Sequence, residues 1–199
     1  MPKTQKKNQP KNSHIHFYDD IEQGSDLWHE LRKNKITGSQ AIKLLNSKNP
    51  RTFTFPKDYG FKGNAYTRRG HRLEPEAIEL YETINDVKIQ HTGFVTNDKY
   101  PGAGYSPDGY MDDRTIEVKS FMPKHHLAAI KRPDVDTLAQ CHFGQVIMEK
   151  EQTDLIYYCP MPEVDVQDQL VIKNIPKNEK IQSNIINRLK EFWEGQNGK

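Results

Sequence analysis

Two carboxylates and a lysine between residues 105 and 120 have the types and spacing for phosphodiester chemistry. Asp108 follows a proline, and Glu117 and Lys119 come nine and eleven residues later. The two-residue period of a strand places Glu117 and Lys119 on one face. Two carboxylates can hold a hard cation such as Mg²⁺ through oxygen, and the lysine would orient or help to deprotonate a water. The pattern therefore predicts metal-assisted phosphodiester hydrolysis.

The same residues also have a purely structural interpretation. Asp-Gly, as in Asp108-Gly109, is a common turn signal. A Glu-x-Lys tripeptide on a strand is often a solvated ion pair that contributes little free energy. The order of Pro-Asp, a hairpin-like turn and Glu-x-Lys favours the catalytic interpretation. Both interpretations remain compatible with these residues alone.

Apolar periodicity predicts the elements that would carry these side chains. A helix begins near Ser25 and carries Arg32, and a second helix follows Ser39, which stands at its N-cap. Pro75 fits only the first turn of a further helix, so Glu74 would lie at that helix's start. The other predicted elements are a strand pair or kinked strand at 87–96, strands at 115–121, 153–159 and 170–175, a short helix or connector at 123–131, a helix capped by Asp134 or Asp136, and an amphipathic helix at 178–194.

These elements predict a central mixed β-sheet flanked by helices, an α/β fold class. The length of 199 residues fits a single domain with a real core. We expect this domain to span 14–199, preceded by a disordered basic arm at 1–13. Core-facing side chains are expected at Leu27, Trp28 and Leu31 in the first helix and at Ala77, Ile78, Tyr81 and Ile84 after Pro75.

Positive charge is local along the chain. The net charge is +2, and the arm holds four of the 29 basic residues and none of the 27 acidic ones. Nucleic-acid binding would therefore depend on clusters such as Arg68, Arg69 and Arg72. Arg32 and Ser39 could form an anion site at a helix start, or they are a surface arginine and a capping serine. Glu74 either favours the helix dipole or adds a ligand facing the basic cluster.

The remaining composition excludes several classes of protein. The two cysteines, Cys141 and Cys159, have no C-x-x-C spacing, so neither a disulfide framework nor a zinc or iron–sulfur site is expected. No apolar run approaches the roughly 20 residues of a membrane span. The lysine-rich start has no apolar signal region. We therefore expect no membrane partner and a cytoplasmic location, in a bacterium or a phage-infected cell.

Several separate stretches together resemble the phage lambda exonuclease family of viral-type recombination nucleases, within the PD-(D/E)xK nuclease superfamily. The resemblance runs in order from about Gln23 to Tyr158. Its fold would be a restriction-endonuclease-like core. The resembling stretches are Gln23-Gly24-Ser25-Asp26-Leu27-Trp28-His29-Glu30-Leu31-Arg32, Ile36-Thr37-Gly38-Ser39, Gly70-x-x-x-Glu74, Ser106-Pro107-Asp108-Gly109, Glu117-Val118-Lys119 and Leu138-Ala139-Gln140.

The resemblance implies a role for each matching residue. Asp108 and Glu117 would be metal ligands, with Glu74 helping at a second metal or through water. Lys119 would activate the attacking water, and Gln140 would sit beside the water and the lysine. Arg32 and Ser39 would bind the 5′-terminal phosphate. Pro75 departs from the family pattern, because it would place Glu74 at the start of its helix instead of inside it.

The implied activity is Mg²⁺-dependent 5′–3′ resection of double-stranded DNA ends to 5′-mononucleotides, with Mn²⁺ as a substitute metal. Implied partners are DNA ends, a single-strand-annealing protein and further copies of the chain in a trimeric ring. Three alternatives stay open: an endonuclease of restriction or junction-cleaving type, a catalytically silent DNA-end-binding module, and a helicase-associated or iron–sulfur nuclease. The cysteine pattern argues against the last of these.

Overall fold

A computed structural model describes residues 14–55 and 64–197. The arm expected at 1–13 lies outside these residues. Two sheets form within the described chain. A small sheet pairs β1 (Ile15–Phe17) with β2 (Val95–Asn97) in antiparallel order. The central sheet has the order β3-β4-β5-β6, formed by Gly109–Tyr110, Arg114–Lys119, Gln152–Tyr158 and Leu170–Pro176.

The central sheet is mixed, as predicted. β4 pairs antiparallel with β3 and parallel with β5, and β6 returns antiparallel to β5. The parallel pair needs a crossover connection, which two helices supply: α4 (Pro123–Ala129) and α5 (Val135–Met148). The remaining helices are α1 (Asp26–Arg32), α2 (Ala41–Leu45), α3 (Ala65–Asn85) and α6 (Glu179–Asn197).

Helices cover both faces of this sheet. On one face, Leu73, Ala77 and Tyr81 of α3 pack in a cluster with Ile116 of β4 and Ile156 of β5. On the other face, α5 contributes Cys141 to a cluster with Leu155 and Tyr157. α5 also packs against α2 and α6 through the largest core cluster, which includes Phe143, Ile185 and Leu189. β5 is therefore buried from both sides, which explains its apolar run.

The position of α3 corrects one prediction. The helix begins at Ala65, capped by Asn64, whose Oδ1 accepts a 2.9 Å hydrogen bond from the Thr67 N–H. Pro75 therefore lies inside the helix, and Glu74 lies in its middle instead of at its start. Proline removes one backbone donor, and a helix of 21 residues with an exposed proline tolerates that single loss.

Two predicted core positions are also wrong. Leu27 and Ile84 are 57% and 63% exposed, whereas Ala77, Ile78 and Tyr81 are buried as expected. α1 has no buried residue at all, because a short surface helix needs only a narrow apolar contact. In the region 87–96, only Val95 and Thr96 belong to a strand, while Gln90 forms an isolated bridge with Tyr110. Within the described residues, no helix is both long and apolar enough to cross a membrane.

Candidate active site

Asp108 lies in the turn that leads into β3, on the wall of a cleft. Its Oδ2 accepts a 2.7 Å hydrogen bond from the backbone N–H of Val118, so the turn is tied to β4 beside Glu117. The cleft has a volume of about 280 Å³. Glu74, from the middle of α3, lines the same cleft, together with His71, His91 and Gln23. Two of the three predicted metal ligands therefore face one cavity.

Glu117 is almost wholly buried, and its carboxylate accepts three hydrogen bonds. Its Oε1 accepts hydrogen bonds of 2.6 Å from Lys119 Nζ and 2.6 Å from Gln140 Nε2. Its Oε2 accepts a 2.7 Å bond from the Tyr105 hydroxyl. Lys119 Nζ also donates to Gln140 Oε1 at 3.1 Å. The expected shared face of Glu117 and Lys119 is confirmed, and α5 brings Gln140 to both.

Burial and neighbouring charges raise the pKa of Glu74 and of Asp108. Burial, and then the charge of Glu117, raise the pKa of Glu74 to about 7, although Lys119 acts in the opposite direction. Burial and the charges of Glu117 and Glu74 hold the pKa of Asp108 well above its usual range. Burial opposes the charge of Lys119, but Glu117 and Asp108 outweigh it and raise the lysine's pKa. Burial and the neighbouring carboxylates therefore disfavour the ionised forms of Glu74 and Asp108, although both lie near the Lys119 cation.

This donor set fits a divalent metal by its chemistry. Carboxylate oxygens are the ligands that Mg²⁺ prefers, and a cation would relieve the repulsion among Glu74, Asp108 and Glu117. Within residues 14–55 and 64–197, no three such side chains are already arranged around a common ion position. The oxygens of Asp108 and Glu117 instead accept hydrogen bonds from protein donors. An ionised carboxylate has about four lone-pair sites, so these bonds leave acceptor sites for a metal ion on both groups.

Arg32 is held beside the same loop. Its Nη1 donates a 3.0 Å hydrogen bond to Ser106 Oγ, and its guanidinium carbon lies 4.1 Å from the centre of the Trp28 ring. Trp28 Nε1 donates to Ser106 Oγ at 2.9 Å and to the Gly93 carbonyl at 3.0 Å. Burial lowers the pKa of Arg32 to about 10, so the side chain remains a cation at neutral pH.

Ser39 differs from its predicted position as a helix cap. It lies inside a 3₁₀ turn, Gly38–Gln40, for which Thr37 is the N-cap. The Thr37 N–H donates to Gln40 Oε1 at 3.2 Å. The cap was misassigned because α2 begins only after this extra turn. Ser39 is exposed and its Oγ lies 3.3 Å from Thr37 Oγ1, so its hydroxyl pairs with Thr37.

The three arginines of the basic cluster have different surroundings. Arg69 Nη1 donates to the carbonyls of Ser120 and Phe121, at 2.9 and 3.2 Å. These carbonyls follow the end of β4, so Arg69 ties α3 to the strand that carries Lys119. Arg68 and Arg72 are exposed on α3. The geometry therefore separates a structural arginine from two that are accessible to a ligand.

Sequence reasoning missed Tyr105 and Ser106. Both come directly before Pro107, yet neither residue type predicts such a contact. Tyr105 carries no signal of a role, because a single aromatic residue in a Gly- and Pro-rich stretch has no periodic pattern. Ser106 appeared only as part of a matching motif. Their contacts become visible only when β4 and α1 are placed around the loop.

This fold is that of the alkaline exonucleases. The structure is similar to that of an alkaline exonuclease from Laribacter hongkongensis, with a TM-score of 0.70, 20% identity, and coverage of 86% of this chain and 93% of that one. A complex of that enzyme with dAMP gives a TM-score of 0.73 at the same identity and coverage. A phage-related exonuclease from Haemophilus somnus 129PT has a TM-score of 0.59 and 15% identity, and covers 81% of this chain and 92% of its own.

A family model described as the YqaJ-like viral recombinase domain matches residues 27–149. The match covers more than half of the chain, and the chain therefore belongs to this family. The predicted resemblance to viral-type recombination nucleases is confirmed. No curated protein sequence matches the chain.

Proposed function

We propose that the protein is a Mg²⁺-dependent 5′–3′ exonuclease that resects double-stranded DNA ends. The observation that carries this proposal is that Glu74 and Asp108 line one cleft, with Asp108 bonded to the backbone between Glu117 and Lys119. Arg32 is held beside the same loop by its bond to Ser106. The products would be 5′-mononucleotides and a 3′ single strand available for recombination. The family membership supports a role in viral recombination.

Asp108 and Glu117 would hold the metal, with Glu74 as a further ligand. When bound, Mg²⁺ or Mn²⁺ would stabilise the charge of the transition state and lower the pKa of a bound water. Lys119 is a cation in this arrangement, which favours orientation of the attacking water over removal of its proton. Gln140 holds the lysine on one side and Glu117 on the other, so it fixes their relative position.

Hydrolysis forms one bond at phosphorus and breaks another. The water oxygen forms a bond to phosphorus, and the bond between phosphorus and the 3′-oxygen breaks. The 3′-oxygen of the released nucleotide takes up a proton, and that nucleotide leaves with the 5′-phosphate it already carried. The attacked phosphate stays on the 5′ carbon of the next nucleotide and becomes the new 5′ end of the strand. The guanidinium of Arg32 would bind the terminal 5′-phosphate through paired N–H donors, with the Ser39 hydroxyl as a second donor. This anchor would place the next linkage over the carboxylates.

The relatives support the class of substrate. The solved structures similar to this chain include proteins described as exonucleases, and one of them holds dAMP, a mononucleotide. We extend the proposal to a homo-oligomer, of which a trimeric ring is the expected form, that acts with a single-strand-annealing protein. Exposed Arg68 and Arg72 would contact the phosphate backbone, and both would then contribute to the salt dependence of DNA affinity.

The test uses linear duplex DNA labelled at the 5′ or the 3′ end, with and without a 5′-phosphate, beside a closed circle. With Mg²⁺, we expect loss of the 5′ label as mononucleotides from phosphorylated ends, and an intact circle. Lys119→Met serves as the control for contaminating nuclease. Cleavage of the circle would favour an endonuclease. Binding of ends without cleavage in either Mg²⁺ or Mn²⁺ would favour a silent end-binding module.

A further inference from the structure

Tyr105 is a fully buried side chain that ends at the candidate active site. It is 1% exposed, and its hydroxyl donates a 2.7 Å hydrogen bond to Glu117 Oε2. Glu117 itself is 2% exposed. A buried hydrogen bond from a neutral donor to a carboxylate is stronger than one between two neutral groups. The contact therefore contributes to holding the Glu117 carboxylate in its orientation.

The ring of Tyr105 packs tightly between two glycine residues, which restricts its rotation. A Cβ atom at Gly144 of α5 would lie 2.6 Å from the ring, and one at Gly38 would lie 3.0 Å from it. Such approaches are possible only because both residues are glycine. The Tyr105 backbone is paired with Val95 in both directions, at 2.7 and 2.9 Å. The hydroxyl is thus a fixed point instead of one end of a mobile side chain.

Glu117 needs such a fixed point. Rotation of a glutamate carboxylate about its last torsion has a broad, two-fold energy profile. Lys119 and Gln140 both bind Oε1, so these two contacts alone leave the plane of the carboxylate free to turn about that oxygen. The hydroxyl of Tyr105 binds the other oxygen and removes this freedom.

We propose that Tyr105 is a positioning residue of the nuclease centre, whose hydroxyl sets the carboxylate plane of Glu117 for metal binding. This inference rests on the proposed function. Removing the hydroxyl while keeping the ring should leave Glu117 in place but badly oriented. Mutation of a residue that hydrogen-bonds to a metal ligand and orients it typically lowers metal affinity or activity by 10–100-fold. Loss of the hydroxyl should therefore lower metal affinity and the cleavage rate and leave DNA affinity unchanged.

The test compares Tyr105→Phe with Tyr81→Phe. Tyr81 is a matched control, because it is also buried and its hydroxyl donates a 2.5 Å bond to the buried Asp154, outside the candidate site. Calorimetry would measure Mn²⁺ affinity without DNA, single-turnover assays would measure cleavage, and anisotropy would measure affinity for DNA ends in Ca²⁺. Thermal melts would report the stability of each variant.

For Tyr105→Phe we expect roughly tenfold weaker Mn²⁺ binding and roughly tenfold slower cleavage, with unchanged affinity for DNA ends. Tyr81→Phe should lower the melting temperature and leave Mn²⁺ affinity unchanged. The inference is overturned if Tyr105→Phe binds Mn²⁺ and cleaves like an active wild type, or if both variants lose Mn²⁺ affinity equally. A wild type that neither binds Mn²⁺ nor cleaves overturns the proposed function, and the inference with it.

Discussion

The carboxylate of Asp108 accepts a 2.7 Å hydrogen bond from the backbone N–H of Val118. Val118 is the residue between Glu117 and Lys119, so this one bond sets the position of the first acid relative to the other two groups. It also explains why the Pro-Asp turn and the Glu-x-Lys strand occur together: the strand's own backbone orients the carboxylate of the turn.

Loss of the Lys119 ammonium should abolish cleavage without abolishing binding of DNA ends. In Lys119→Met we expect the single-turnover rate to fall by at least ~100-fold, the lower range for loss of one preorganised donor at a reacting centre, because the attacking water loses the cation that orients it. Affinity for DNA ends, measured by anisotropy in Ca²⁺, should change little. Lys99→Met is the control, since Lys99 pairs with exposed Glu149 away from the site. Equal rates for Lys119→Met and wild type would contradict the proposed role.

Stability of the metal-free protein should fall as pH rises through the titration of Glu74. Its pKa in the folded protein, about 7, lies above the reference value of 4.5, so the folded state binds the proton more tightly than the unfolded state. The free energy of unfolding therefore decreases between these two pH values and stays lower above them. Glu74→Gln should remove that decrease, with a gain of about 1–3 kcal/mol at pH 8.

Urea unfolding in EDTA at pH 5 and pH 8 checks this prediction. The control is Glu79→Gln, an exposed acid on the same helix, which should give the same small change at both pH values. If Glu74→Gln were to stabilise the protein equally at pH 5 and pH 8, ionisation of Glu74, disfavoured by burial and then by the charge of Glu117, would not be the cause. Without EDTA, added Mn²⁺ should raise the free energy of unfolding of the wild-type protein at pH 8, because a ligand that binds only the folded state stabilises that state.

Arg68 and Arg69 should differ in what their removal changes. Arg68→Ala removes an exposed cation, so we expect the slope of log affinity against log salt concentration to fall by about one unit, with no change in melting temperature. Arg69→Ala removes the donor to the Ser120 and Phe121 carbonyls, so the melting temperature should fall. The reverse pattern would mean that Arg69 faces the DNA and that Arg68 is structural.

Arg32→Lys should remove the preference for a 5′-phosphate. Lysine keeps the charge but lacks the planar fork that binds two phosphate oxygens, and it cannot keep the stacking on Trp28. We expect the rate ratio between phosphorylated and unphosphorylated ends to fall by about tenfold, the value of one lost charge-assisted bond. Arg51→Lys is the control, because Arg51 pairs with exposed Glu194. An unchanged ratio would place the phosphate pocket elsewhere.

Much of the site was predictable because its chemistry depends on local spacing. Glu117 and Lys119 are two residues apart on a strand, so the strand period alone brings them together. Gln140 was placed only through family resemblance, because no spacing rule connects a helix residue with a strand that precedes it by 21 positions. Its contact depends on how α5 packs against the sheet.

The wrong predictions have a common physical origin: packing against distant residues decided the structure where the local sequence favoured something else. Pro75 alone predicts a helix start, yet the cap at Asn64 and the packing of Leu73, Ala77 and Tyr81 carry α3 through it. Ser39 has the residue type of a cap, but the Thr-x-x-Gln pair Thr37 and Gln40 caps the 3₁₀ turn that comes before α2. The role of Tyr105 cannot be predicted from the sequence, because its hydrogen-bond partner, Glu117, lies 12 residues away on β4 and meets it only in the folded protein.

The parallel pairing of β4 with β5 has a consequence for synthesis of the protein. β4 and β5 are separated in the chain by α4 and α5, and α5 packs on both strands. A nascent chain that ends at Met148 already contains Glu117, Lys119 and Gln140, but it lacks the strand against which α5 and β4 dock. Until residues up to Tyr158 have left the ribosome, β4 has no parallel partner and α5 has no complete sheet to pack on, so the arrangement of Glu117, Lys119 and Gln140 is completed late in synthesis.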